Sequence, residues 1–254
     1  MIDEMKYNLF SIICNLFNLL LPRYCAGCGT RLTAGEQRLC LGCLVRMPRT
    51  WLWREAEDNA LAKTYWRRTG DTEVERVVAH LSYIPDGMVS NIVGAMKYRG
   101  NKRLARYMGQ LMAEEMTTTG VFDGIDCLVA VPITPWRRMT RGYNQAEQLA
   151  KGVSRVTGLP VKGKVLRRVT FETSQTCLAG NEREENVTRA FALNTRHASK
   201  LQGKHVMLID DVITTGATTR ACATLLAEIP DVRVSILALA TAKRNVQCVN
   251  IIDN

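Results

Sequence analysis

The stretch Val206-Met207-Leu208-Ile209-Asp210-Asp211-Val212-Ile213-Thr214-Thr215-Gly216-Ala217-Thr218 decides how the rest of this chain is read. Four consecutive apolar residues after His205 predict a buried strand over 205–209. Two adjacent carboxylates, Asp210 and Asp211, follow at its carboxyl end. A hydroxyl-rich turn with one glycine then leads into a helix predicted over 218–228. The turn offers backbone N–H groups and threonine hydroxyls to a phosphate, and the helix N-terminus adds its partial positive charge. Carboxylates repel a phosphate, but they suit sugar hydroxyls or a magnesium ion. The plain alternative is a helix cap after an ordinary strand. An acid pair followed by Thr-Thr-Gly-Ala-Thr speaks against it.

Outward from this segment the pattern is strand, helix, strand. Strands are predicted over 74–84, 127–131 and 232–240, with a short one beginning at Val165. Helices are predicted over 88–98, 102–116 and 143–157. Such alternation means an α/β domain with a mainly parallel sheet flanked by helices. Ligands bind beyond the carboxyl ends of strands in sheets of this kind.

Val131-Pro132 ends one of these strands and leads to Trp136-Arg137-Arg138-Met139-Thr140-Arg141-Gly142-Tyr143-Asn144-Gln145. Three arginines in five residues, then a glycine and a helix start, make a second anion site; a solvated basic surface is the plain reading. Two other phosphate motifs fail. Gly158 to Lys164 reads G-x4-G-K, one residue short of a P-loop, with Val165 where a hydroxyl is needed. No G-x-G-x-x-G occurs, so a dinucleotide site is unsupported. The three histidines (80, 197 and 205) have no acid-base constellation around them, which argues against a hydrolase triad.

Upstream, Cys25-Ala26-Gly27-Cys28 and Cys40-Leu41-Gly42-Cys43 are two C-x2-C pairs separated by eleven residues. This spacing predicts one tetrahedral Zn²⁺ held by four thiolates; redox dithiols or disulfides are the alternatives. Four thiolates close the metal's shell, so the zinc is structural. About 25 residues cannot bury enough core alone, and metal binding supplies folding energy there. The other five cysteines (14, 127, 177, 222 and 248) show no ligand spacing.

Residues 6–21 are apolar enough to raise the question of a signal peptide, but Asp3 and Glu4 precede them and no small-residue cleavage site follows. Asn8, Ser11, Asn15 and Asn18 form one polar stripe opposite Leu9, Ile13, Leu16 and Leu20. The reading is an amphipathic helix over 1–21, stopped by Pro22, with no transmembrane segment and a cytoplasmic location. The division expected is this helix, a zinc module over 22–48, a connector over 49–75 and an α/β domain over 76–254.

The chain has 254 residues, of which 46% are hydrophobic, with 34 Lys+Arg against 24 Asp+Glu for a net charge of +10. This excludes disordered, collagen-like and multi-span membrane classes and suggests an anionic partner. The excess base is uneven: the acid-free windows 97–106, 137–141 and 151–168 hold five, three and six basic residues.

Residues 206–218 resemble the phosphoribosyl-pyrophosphate (PRPP) fingerprint of type I phosphoribosyltransferases. Taken with the two C-x2-C pairs, Lys97-Tyr98-Arg99-Gly100, the R-x-x-R-G-Y-N-Q stretch ending at Gln145, and Thr173 to Phe191, the chain resembles the competence protein F (ComF) family. Its members join a four-cysteine zinc module to a phosphoribosyltransferase-like domain, and some are linked to DNA uptake. The resemblance implies that Asp210 and Asp211 hold ribose hydroxyls and that Thr214, Thr215, Gly216, Ala217 and Thr218 cradle the 5′-phosphate. It implies a pyrophosphate loop containing Arg137, Arg138, Arg141, Gly142, Asn144 and Gln145, with Lys97, Arg99 and Arg183 nearby and a flexible region over 167–186. Zn²⁺ and PRPP-associated Mg²⁺ are the implied cofactors. In several relatives an acid serves as base where Thr214 stands, so the catalytic group is not evident. Met1-Ile2 lacks the cysteine of a glutamine amidotransferase. Two functions follow: phosphoribosyl transfer from PRPP, or a non-catalytic competence factor that binds single-stranded DNA or a helicase.

Overall fold

The computed structural model describes residues 22–70, 74–98, 100–169 and 190–242. The helix expected over 1–21, Arg99, Arg183 and most of the 173–191 stretch lie outside them, as do Cys14, Cys177 and Cys248. In chain order the described helices and strands are α1 (Leu41–Val45), α2 (Ala60–Thr69), β1 (Val74–Tyr83), α3 (Met88–Tyr98), α4 (Lys102–Met116), β2 (Cys127–Ala130), α5 (Pro135–Arg141), α6 (Gln145–Thr157), β3 (Leu166–Arg168), β4 (Phe191–Leu193), α7 (Thr195–Ala198), β5 (His205–Ile213), α8 (Ala217–Ala227) and β6 (Arg233–Ala242).

Four strands form one parallel sheet in the order β1-β6-β5-β2. Side chains alternate across a strand, and β5 shows the consequence. Met207 and Ile209 join a core with α3, α4 and α6, while Val206 and Leu208 join a second core with α2 and α8. All four are fully buried, which is why the run reads as continuously apolar. The parallel sheet flanked by helices is therefore as expected.

Three local expectations are corrected. The strand read as ending at Ile209 continues to Ile213, with Asp210 opposite Ala238 and Val212 opposite Ala240 on β6. The acid pair thus sits inside the paired end of a strand: backbone pairing does not depend on side-chain charge, and the strand mouth leaves the acids room beside the cleft. The arginine loop is the short helix α5, with Pro135 at its first turn, Thr134 Oγ1 accepting from Arg137 N at 3.1 Å and Gly142 closing it at φ 74°. Outside the main sheet, β3 and β4 form an antiparallel pair that contains the strand expected at Val165.

The segment after the cysteines packs against the sheet. Ser82 N donates to Pro48 O and Thr50 N to His80 O, which lays 48–50 antiparallel along β1. Asn59 caps α2 and donates through Nδ2 to Val77 O. Trp53 is buried in the core.

Candidate functional site

The cleft at the carboxyl ends of β2 and β5 is built from four pieces of chain. Its lining includes Lys97, Arg137, Arg141, Arg168, Asp210 and Asp211, with Asn144, Gln145 and Thr218 beside them. Among the described residues Asp210 and Asp211 are its only carboxylates. Lys97 Nζ lies 2.9 Å from Asp211 Oδ2 and neutralises it. Asp210 Oδ1 accepts from Asp211 N at 2.8 Å, yet burial and the neighbouring Asp211 charge push its carboxyl up to about 8. A half-buried acid with a raised pKa beside a salt-bridged one suits hydroxyl ligands. A Mg²⁺ at Asp211 would have to compete with Lys97.

The Arg-Gly-Tyr-Asn-Gln stretch divides its labour. Arg141 reaches the cleft, where its Nη1 donates to Gln145 Oε1 at 3.2 Å. Tyr143 is buried, and its hydroxyl donates to Met96 O at 2.6 Å; Gln145 Nε2 donates to the same carbonyl at 3.4 Å. Met96 precedes Lys97, so these bonds fix the end of α3 that carries the lysine facing Asp211. Asn144 caps α6 by accepting from Ala146 N and also donates to Val131 O at 2.9 Å, which makes it a scaffold residue at the cleft wall.

The sequence-predicted residues are thus partly gathered. Lys97, Arg137, Arg141, Asn144, Gln145, Asp210, Asp211 and Thr218 share the cleft. Arg138 faces an adjacent groove instead and lies 3.7 Å from Glu147. Thr214 and Thr215 are exposed on the turn, and Gly216 takes φ 89° before α8. Arg168, which the family resemblance placed in the region over the site, joins Arg137 in the cleft. Burial, then the nearby Arg137, lowers its pKa, while Asp210, also in the cleft lining, partly offsets this.

The four cysteines do converge. Cys25, Cys28, Cys40 and Cys43 place their sulfurs within 4.8 Å of one another. Four thiolates about 2.3 Å from a zinc ion stand about 3.8 Å apart, and Cys28 Sγ lies 3.7 Å from Cys40 Sγ. Backbone N–H groups of Cys40 and Cys43 point at Cys25 and Cys40 sulfurs, as metal-bound thiolates require. The group can hold a metal ion such as zinc. A Cβ at Gly27 would crowd Met88 and Cys43, so this turn needs glycine. Asn91 Nδ2 donates to Gly27 O at 2.9 Å and ties the module to α3.

With the geometry described, known proteins can be compared. The chain is 32% identical to competence protein F of Haemophilus influenzae over 117 residues, covering 46% of this chain and 51% of that protein. It is 28% identical to DNA utilization protein YhgH of Salmonella typhi over 155 residues, and equally so to that of Escherichia coli K12, covering 60% of this chain and 66% of each. The chain is thus similar in sequence to competence protein F over about half of that protein. It spans about half to two thirds of the length of these curated relatives. No protein-family model matches. Among solved structures, glutamine PRPP amidotransferase from B. subtilis aligns with 52% of this chain and 25% of its own at 21% identity and TM-score 0.34. Adenine phosphoribosyltransferase from Thermoanaerobacter pseudethanolicus aligns with 57% of this chain and 83% of its own at 14% identity and TM-score 0.30. Likeness at these scores says nothing about ligands. Among the described residues, no helix is long and apolar enough to cross a membrane.

Proposed function

We propose that the cleft binds PRPP and that the protein acts as a phosphoribosyltransferase-like enzyme or sensor. One observation carries this reading: the acid pair at the end of β5 faces Lys97, Arg137, Arg141 and Arg168 across a single cleft. Asp210 and Asp211 accept or share protons with ribose hydroxyls. The turn 214–218 and the start of α8 take the 5′-phosphate. The arginines neutralise the pyrophosphate, whose departure from ribose C1 they favour. Mg²⁺ is expected to arrive bound to pyrophosphate oxygens and would add Lewis-acid neutralisation there. The four cysteines hold a structural Zn²⁺. Titration calorimetry of zinc-loaded protein with PRPP and Mg²⁺ tests the reading. Saturable binding that the Asp210→Asn/Asp211→Asn double variant weakens at least tenfold is expected; no heat with the wild-type protein sinks it.

A second reading is a competence factor that handles single-stranded DNA, directly or through a helicase. The relatives' names suggest it, and so do exposed aromatics among the arginines. Trp136 is 67% and Tyr98 80% exposed, and the Arg141 guanidinium lies 5.7 Å from the centre of the Tyr98 ring. Bases stack on such side chains while arginines follow the backbone. A salt-dependent mobility shift of labelled single-stranded DNA that Trp136→Ala weakens is expected; no shift, or one insensitive to salt, counts against direct binding.

A further inference from the structure

The groove beside the cleft is unused by either reading. It encloses about 380 Å³, within the size range of small-molecule sites. Val129, Pro132, Ile133, Val161 and Leu166 give it an apolar floor. One wall is the loop Lys162-Gly163-Lys164, the remnant of the failed P-loop pattern. Lys162 N donates to Leu128 O at 2.8 Å and Leu128 N donates to Pro160 O at 3.0 Å, so the loop extends the sheet as a parallel rung beside β2. Lys164 holds a left-handed φ of 62°, a conformation lysine rarely adopts.

The charge around this groove is one-sided. Lys162, Lys164 and Arg167 make no ion pair among the described residues, and Arg168 lies over the Phe191 ring at 5.0 Å. Among the described residues Glu147 is the one carboxylate in the lining, and Lys151 at 2.7 Å and Arg138 at 3.7 Å already occupy it. Asn194 adds a carboxamide with no side-chain hydrogen bond among the described residues. An apolar floor draws an apolar body out of water. Several cations without counter-charge at its mouth match a dianion better than a single carboxylate.

We propose that this groove is a second ligand site, taking a phosphate monoester carried on an apolar or aromatic body. It adjoins the PRPP cleft, with Pro132, Ile133, Asn144 and Arg168 shared between the two, but the rest of its floor and the Lys162–Lys164 wall lie outside the cleft, and Asp210 and Asp211, the groups suited to ribose, line the cleft alone. Phenyl phosphate, which lacks a ribose, is therefore the probe.

Phenyl phosphate is titrated into the zinc-loaded protein by calorimetry, with benzoate and inorganic phosphate as comparisons. Saturable binding in the millimolar range or tighter is expected for phenyl phosphate and at least tenfold weaker binding for the other two. The variant Lys162→Ala/Lys164→Ala, checked for an unchanged thermal melt, should lose at least tenfold in phenyl phosphate affinity and keep its affinity for PRPP. The Asp210→Asn/Asp211→Asn variant should keep phenyl phosphate binding. The proposal is overturned by no binding, by equal affinity for either comparison ligand, by indifference to the lysine substitutions, or by displacement of phenyl phosphate with PRPP. Binding of phenyl phosphate without any binding of PRPP would instead remove the proposed function and leave this site standing.

Discussion

Asp210 and Asp211 are neighbours in sequence but not in electrostatic surroundings. Burial, then the adjacent Asp211 charge, pushes the Asp210 carboxyl up to about 8, while Asp211 has Lys97 at 2.9 Å. An acid with a raised folded-state pKa binds its proton more tightly folded than unfolded. Its contribution to stability is therefore full at low pH and lost as pH rises from about 4 through 8. Asp210→Asn should raise the melting temperature at pH 8 by a few degrees and flatten the fall in stability above pH 4, as thermal melts across pH will read. The same substitution should weaken PRPP binding, a trade between stability and function common at sites. Tyr143 carries the other residue-scale prediction. Tyr143→Phe removes the donor to Met96 O and should cost about 1 kcal/mol of stability. PRPP affinity should fall about threefold or more through the displaced Lys97, measured by calorimetry.

At the scale of elements, α4 and α6 meet through glycines. A Cβ on Gly109 would overlap the Leu149 carbonyl, and one on Gly152 the Arg106 carbonyl, both backbone groups that cannot move aside alone. Gly109→Ala should lower stability by about 3 kcal/mol, seen as an earlier urea midpoint with an unchanged slope. Nothing in a helix pattern flags these glycines, because the requirement comes from the partner helix. The boundaries of α3 and α4 were legible, since apolar spacing and the Asn101 cap mark them locally. Helix α5 carried its own signals in Thr134, Pro135 and Gly142, and the arginines obscured them. The last four residues of β5 were illegible because pairing with β6 continues beyond the apolar run.

At the scale of the whole molecule, one polar cluster joins the segment after the cysteine module to the sheet and to α4. Arg49 Nε and Nη2 each donate to Glu115 at 2.7 Å, and the fully buried His80 meets Glu115 Oε2 at 2.8 Å through Nε2. Burial raises Glu115, but hydrogen bonds from His80 and Arg49 outweigh it and bring it to about 2. Burial lowers the pKa of His80, so the imidazole is neutral. A depressed carboxylate adds stability above its unfolded value of 4.5 that disappears as pH falls toward 2. A depressed histidine loses stability as pH drops below 6.5. Both act in the same direction. The protein should therefore unfold on acidification from below about pH 6. Glu115→Gln should cost about 3 kcal/mol at pH 7 and reduce the slope below pH 4.5, read by denaturant titration at several pH values.

By itself the sequence determined the α/β class, the acid pair at a strand end, the cysteine quartet and most helices. These depend on spacing and chemistry within a few residues, where periodicity and turn residues act directly. Tertiary structure alone decided that Tyr143 and Gln145 meet at the Met96 carbonyl, that Arg168 enters the cleft while Arg138 leaves it, and that Glu115 joins Arg49 to His80. Those partners lie 47, 49, 66 and 35 positions apart where the pairs hydrogen-bond. No local pattern encodes such a pairing; it arises only when the sheet order brings the segments together and burial forces each polar group to find a partner.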